Sequence, residues 1–260
     1  MDFAGPRGST AGYVRLSYHP DERVAWFWAA VVAEDRPLIA VRAHDVRIPR
    51  LGTEIRTDGV WASLVCEVPL EHWSVGLESF GAAFDDPLEA WGRERGDVVP
   101  FGLDLEWEGA EPARSAGAPG TTGYGQWCGV HGEVLIGEER LEVDAIGHRE
   151  HLWGAVTAQG WRVAAAGEDG TRRWAREGWT IDGVGASTPG DQSVGLTGVW
   201  RGDGLPGNAR FRAADGAVLE LVPSASSPVA VPGCRVVNTL YRTQSSLGVP
   251  GQAWASWWGG

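Results

Sequence analysis

The chain reads as an all-β protein with one short helix, and three observations lead there. Short runs alternate between apolar and polar residues with a period of two, as half-buried strands require. Thirty-eight glycines and fifteen prolines cut these runs into short lengths. Fifteen tryptophans, against one methionine, supply bulky rings suited to sheet cores or to the lining of a wide pocket.

Taken in order, the strand-like runs of the first half are 23–33, 37–48, 60–69, 73–84 and 98–107. Those of the second half are 127–136, 140–146, 161–166, 172–181, 194–200, 209–214, 217–222 and 234–242. Asp169-Gly170 and Asp215-Gly216 sit between such runs and predict two hairpins with type I′ turns. The one helix is predicted at Asp86-Pro87-Leu88-Glu89-Ala90-Trp91. It offers an N-cap, proline at the first helical position and a capping-box glutamate, with Gly92 or Gly96 as the stop.

The stretch 108–123 has no apolar periodicity and reads as a linker. It divides the 260 residues into two all-β units, 1–115 and 123–260, each large enough to be a barrel or sandwich.

The formal net charge is −12, and no basic stripe is visible. Such a surface repels phosphate backbones and anionic lipid headgroups, so neither nucleic acid nor a membrane is an expected partner. The longest apolar runs, such as 24–33, are too short to span a bilayer. Met1-Asp2-Phe3-Ala4-Gly5-Pro6 lacks the basic start and apolar core of a signal peptide. Cys66, Cys128 and Cys234 are scattered without a CxxC, which fits reduced thiols in the cytoplasm.

The densest chemistry lies in Gly147-His148-Arg149-Glu150-His151-Leu152-Trp153-Gly154, directly after the strand-like 140–146. If that strand continues unbroken, Arg149, His151 and Trp153 share the face of Leu141 and Val143. Polar groups placed there must be paired or functional.

This octapeptide, with Tyr124-Gly125-Gln126-Trp127, Gly129-Val130-His131-Gly132-Glu133-Val134 and Gly248-Val249-Pro250-Gly251-Gln252-Ala253-Trp254, resembles a known family. It is similar to the double-lipocalin proteins related to bacterial carotenoid 1,2-hydratase (hydroxyneurosporene synthase) and to AttH-like proteins. The octapeptide is the specific part; the rest of the likeness is one of layout. The usual central motif, Gly-x-Arg-(Asp/Glu)-His-Ser-Trp-Gly, has Leu152 here in place of serine. Ala155-Val156-Thr157 replaces the usual Arg-Asp-Trp continuation, and Ser256 stands where a glutamate is frequent.

The resemblance implies two tandem lipocalin-like barrels with a hydrophobic ligand pocket. It also implies reactions without redox cofactors on polyenes and other greasy intermediates, hydration and pericyclic cyclisation among them.

Two readings of the octapeptide stay open. Arg149, Glu150, His151 and Trp153 could form a buried hydrogen-bonded plug that serves the fold. Alternatively His151 or Glu150 is an acid that protonates an alkene, or a base that orders water. The candidate catalytic residues are therefore His151, Glu150 and Arg149. Tyr124, Gln126, Trp127, Trp153 and Trp107 are the candidates for substrate binding, by aromatic stacking on a conjugated ligand.

Glu142 and Asp144 read as solvated acids on the opposite face of the same strand. His148 and His151 form H-x-x-H, but positions three apart on a strand point to opposite faces, so no metal is expected. The same geometry separates Cys128 from His131. No G-x-S-x-G or P-loop is present.

The expected function is a cofactor-independent enzyme acting on a lipophilic natural-product or isoprenoid intermediate, promoting cyclisation or hydration in an aromatic-lined pocket. The rival is a non-catalytic carrier for a hydrophobic small molecule. The loss of the polar continuation after Gly154 tilts the reading towards cyclisation.

Overall fold

A computed structural model describes residues 1–33, 35–91, 96–154, 159–181, 184–185 and 194–259. The strands of the first half are β1 (Asp2–Ala4), β2 (Ala11–His19), β3 (Val24–Val32), β4 (Leu38–Arg47), β5 (Ile55–Thr57), β6 (Val60–Val68), β7 (His72–Phe84) and β8 (Asp97–Gly109). Three more, β9 (Arg114–Ala118), β10 (Thr121–Ile136) and β11 (Glu139–Gly154), carry the chain through its middle. The remainder are β12 (Gly160–Gly167), β13 (Arg172–Arg176), β14 (Thr180–Ile181), β15 (Val184–Gly185), β16 (Gly195–Trp200), β17 (Pro206–Arg212), β18 (Val218–Val231), β19 (Cys234–Ser245) and β20 (Pro250–Gly259).

The chain divides into two units, two tandem lipocalin-like barrels in architecture. Unit 1 comprises 1–89, 93–112 and 127–148; unit 2 comprises 90–92, 113–126 and 149–260. Both β10 and β11 contribute to each.

Unit 1 is a closed antiparallel ring in the order β1-β2-β3-β4-β7-β8-β10-β11, with β6 and β5 continuing from β7. Its inside is lined with buried apolar side chains. Phe27, Phe101, Leu105, Trp107, Val130 and Val143 pack there with other buried apolar side chains. Eight strands enclose a space that side chains alone can fill. Gly147 of β11 is there because the neighbouring rings leave no room: an added Cβ would lie 2.4 Å from the Trp107 ring and 2.5 Å from Val130.

Unit 2 is built on the half-barrel sheet β13-β12-β20-β19-β18-β17-β16, antiparallel throughout. Its core gathers Val163, Leu196, Phe211, Leu221 and Tyr241 around a group of alanines. Burial pushes the Tyr241 phenol up to about 12, only partly opposed by the nearby Trp257 and Thr239 side chains. In the unfolded chain that phenol ionises near its ordinary value of about 10. Its contribution is therefore complete below pH ~10 and is lost as the pH rises towards the folded value. A shift of that size corresponds to about 3 kcal/mol. Denaturant unfolding of Tyr241→Phe should lose less stability between pH ~10 and ~12 than unfolding of the unaltered chain.

The two Asp-Gly hairpins form, but not with type I′ turns. Only the glycines, Gly170 (φ 86°) and Gly216 (φ 81°), take the left-handed conformation, while Asp169 and Asp215 do not. The Gly170 and Gly216 amides donate to Gly167 O and Ala213 O, and the loops close one residue later, from Gly167 N to Thr171 O and from Ala213 N to Ala217 O. Each is a type I turn with a glycine bulge. The aspartates favour it because Asp169 Oδ1 accepts from Thr171 N at 3.0 Å and Asp215 Oδ1 from Ala217 N at 3.1 Å.

The expected helix is a short 3₁₀ turn, Pro87–Trp91, with Leu88 N donating to Asp86 Oδ1 at 3.0 Å. A second 3₁₀ turn, Pro6–Gly8, escaped the sequence reading. Gly92, one of the two expected stops, lies outside the described residues.

The stretch 108–123 is not a linker. It holds the end of β8, all of β9 and the start of β10, with Thr121 paired to Ala118 and Gly125 to Arg114. Gly117 and Gly123 serve close approach rather than flexibility, while Gly120 (φ 81°) makes the turn between β9 and β10. A Cβ on Gly117 would lie 2.8 Å from Thr121 O.

Candidate functional site

The octapeptide is strand to its end, since β11 runs to Gly154 beside β10. Period two then puts Arg149, His151 and Trp153 on one face, and Tyr124 and Gln126 on one face of β10. These five residues of unit 2 come together. Arg149 is 2% exposed. It donates through Nη1 to Tyr124 Oη at 2.9 Å and through Nη2 to Gln126 Oε1. Its guanidinium also lies 5.2 Å from the centre of the Tyr124 ring. The His151 ring stacks on Trp153 at 4.2 Å, and Tyr124 packs tilted against both, at 5.8 Å and 6.1 Å.

The cluster is buried at one end and open at the other. Gln126 is buried with Arg149, Tyr124 is half-buried, and His151 and Trp153 are exposed, Trp153 by 49%. Partial burial and the positive charge of Arg149 lower the His151 imidazole below its ordinary value. The ring is accordingly neutral at neutral pH, able to accept a proton or to hold a water.

Glu150 points to the other face and has different company. Arg162 Nε donates to its Oε1 at 2.6 Å and Arg176 Nη1 to its Oε2 at 3.3 Å. Arg162 and Arg176 are direct cross-strand partners on β12 and β13. With both oxygens engaged by guanidinium, Glu150 is committed to accepting hydrogen bonds, which suits an anchor better than a proton donor. Arg176 in turn sits 4.6 Å over the Trp258 ring and 5.2 Å over that of Trp179.

The register extends this polar line across the sheet. Arg162 faces Ser256, Ser256 faces Asn238, and Asn238 faces Ser227, every one of them buried. Ser256 Oγ donates to Asn238 Oδ1 at 2.7 Å. Nothing in the local sequence announced Arg162, Arg176 or Asn238. Hairpin pairing sets Arg176 opposite Arg162 and Asn238 opposite Ser256, but only the pairing of β12 with β20, distant in the chain, joins them into one row.

The other sequence candidates lie in unit 1. Trp127 is buried with its ring edge-on to His148 at 4.9 Å. Trp107 is 1% exposed and packs edge-on to Phe3 in the core, so it is part of the barrel's filling. His148 is fully buried and His151 exposed, as opposite strand faces require. Cys128 is buried while His131 is exposed. Glu142 and Asp144 are exposed. Ala155-Val156-Thr157 lies outside the described residues. Among the described residues no group of three or more histidine, cysteine or acidic side chains is arranged to hold a metal ion. Nor is any helix among them long and apolar enough to cross a membrane.

These features define the chain as a double-lipocalin-like protein, and solved structures share that architecture. An AttH-assigned protein from Nitrosomonas europaea superposes with a TM-score of 0.65 at 13% identity, covering 98% of this chain and 89% of its own. Kievitone hydratase from Nectria haematococca gives 0.61 at 10% identity, with 95% and 83% covered. CghA gives 0.51 at 12% identity, with 99% and 86% covered. Residues 1–169 match the family described as a domain of unknown function, DUF7064, and the chain belongs to that family. Comparison of the sequence with curated proteins yields no match.

Proposed function

We propose that this protein is a cofactor-independent enzyme that cyclises or hydrates a lipophilic, unsaturated small molecule. The observation that carries the reading is the half-open cluster of Arg149, Tyr124, Gln126, His151 and Trp153. A buried guanidinium fixes the phenol from behind, leaving the Tyr124 proton free to donate outward. The stacked His151–Trp153 pair offers a flat surface on which a conjugated chain can lie. Restriction of a flexible polyene on such a surface lowers the barrier to ring closure by pre-paying its conformational entropy.

His151, neutral and beside the phenol, is the group that accepts a proton or orders a water. Glu150, tied to Arg162 and Arg176, positions β11 instead. Likeness in fold to a protein named as a hydratase supports the class of chemistry. The link to carotenoid hydratases in particular rests on the octapeptide, and Leu152 in its serine position argues for cyclisation over the hydratase reaction itself. A cytoplasmic setting and a small hydrophobic substrate belong to the same proposal.

The test is incubation of the protein with a panel of linear isoprenoid and polyene compounds, followed by chromatography and mass spectrometry. A product of unchanged mass reports cyclisation, and a gain of one water reports hydration. His151→Gln should lower the rate by roughly 10²-fold. Because the imidazole of His151 is lowered from about 6.5, the rate should hold steady through neutrality and fall only at more acidic pH. Recovery of every compound unchanged but bound would mark the protein as a carrier.

A further inference from the structure

The outer face of unit 1 carries a second concentration of aromatic and cationic side chains. On β2, β3 and β4 the register sets Arg15, Trp28 and Arg42 in one row, with Ser17 opposite Trp26 in the next. His19 stacks on Trp26 at 3.8 Å and 27°, and His44 approaches the same indole at 5.6 Å. His44 also meets Trp28 edge-on at 6.2 Å. None of these side chains belongs to the barrel filling, which uses the alternate residues Ala25, Phe27 and Ala29.

Two atoms of this face have no ordinary structural account. Trp28 is only 9% exposed, yet its Nε1–H has no hydrogen-bond partner. The Nε2 of His19 is likewise out of solvent and without a partner. Buried polar atoms in folded proteins are nearly always satisfied, so such a donor and its neighbour point to something that completes them. The surroundings say what. Trp28 stands between two arginines, and Arg15 is held by Met1 O at 2.9 Å and Asp2 Oδ2 at 3.4 Å. With Arg15 paired to Asp2, Arg42 is the cation the indole N–H has beside it for an oxyanion, and the indole and imidazole rings alongside suit a flat conjugated body. Trp26, His19, Arg42 and His44 are half-buried, so the face is not sealed.

We infer that this face of unit 1 binds a flat, conjugated molecule bearing an ionised oxygen, which accepts from Trp28 Nε1–H and is neutralised by Arg42. The site is separate from the residues of the proposed reaction, all of which lie in unit 2.

The probe is 2-naphthoate, with 2-naphthalenemethanol as its uncharged counterpart, titrated calorimetrically into the full chain. Naphthoate should bind at one site and more tightly than the alcohol. Trp28→Phe keeps the ring and removes the donor, and should weaken naphthoate about tenfold. Arg42→Gln should weaken naphthoate similarly and erase its advantage over the alcohol, while Tyr124→Phe in unit 2 should change neither. In the unaltered protein the Trp28 indole N–H resonance, assigned by its absence from Trp28→Phe, should shift on addition of naphthoate. The proposal is overturned if naphthoate fails to bind, or if both unit 1 variants bind it within twofold of the unaltered protein. It is equally overturned if Tyr124→Phe, rather than Trp28→Phe, abolishes binding.

Discussion

Glu150→Ala should cost the protein about 3–5 kcal/mol, the range expected when one member of a buried ion pair is removed. The loss does not come chiefly from the two hydrogen bonds. Arg162 is buried, and its partner Arg176 lies directly opposite in the sheet. Without the carboxylate two guanidiniums face each other with less water than either needs. Glu150→Gln should cost less, because the amide oxygen still accepts from Arg162 while the charge is gone. Glu150→Met combined with Arg162→Met should recover much of the loss, since a packed apolar pair often matches a buried ion pair. Denaturant unfolding of the three variants measures this ordering. A Glu150→Ala protein within 1 kcal/mol of the parent would mean that the trio does not fasten β11 to β12 and β13.

The second large effect falls on a glycine. At Gly123 an added Cβ would lie 2.2 Å from the His151 carbonyl oxygen and 3.0 Å from Leu152 Cα. Both are backbone atoms, so no rotamer change relieves the collision, and β10 must part from β11 where the candidate site is built. Gly123→Ala should therefore destabilise by about 3 kcal/mol, at the upper end of overpacking costs. It should also pull Tyr124 from Arg149, lowering the near-ultraviolet circular dichroism of the Tyr124–Trp153 pair. Gly129→Ala on the same strand is the control. An added Cβ there meets nothing within 4 Å, and the variant should melt like the parent.

The same two residues show what could and could not be read from the chain. Alternation at Leu141, Val143 and Ala145 correctly extended into Arg149, His151 and Trp153, because a strand carries its period past a change of residue type. That gave the face of β11 that carries the candidate site, whereas Tyr124 and Gln126 came from the resemblance through Tyr124-Gly125-Gln126-Trp127 and not from any alternation. The glycines of 108–123 misled, because a residue without a side chain has no alternation to display. The need for close backbone approach looks, in sequence, the same as flexibility.

Strand β2 escaped notice because Arg15 and Ser17 stand among its apolar residues. Strand β20, rich in alanine, serine and glycine, lacks the β-branched signature. Strand β18 was seen only to Val222 because Pro223 follows, and the sheet accommodates that proline with a bulge. The polar row from Arg176 to Ser227 depends on four pairings, of which one, β12 with β20, joins strands far apart in the chain. No window along one segment contains it.

The filled first barrel has a bearing on how such a protein could change its ligand. A hollow calyx would make stability and selectivity depend on the same side chains, so that each new guest disturbed the fold. Here Phe27, Phe101 and Trp107 occupy the interior themselves. On the proposed function, recognition falls to outward-facing positions, where a substitution need not answer to the packing beneath it.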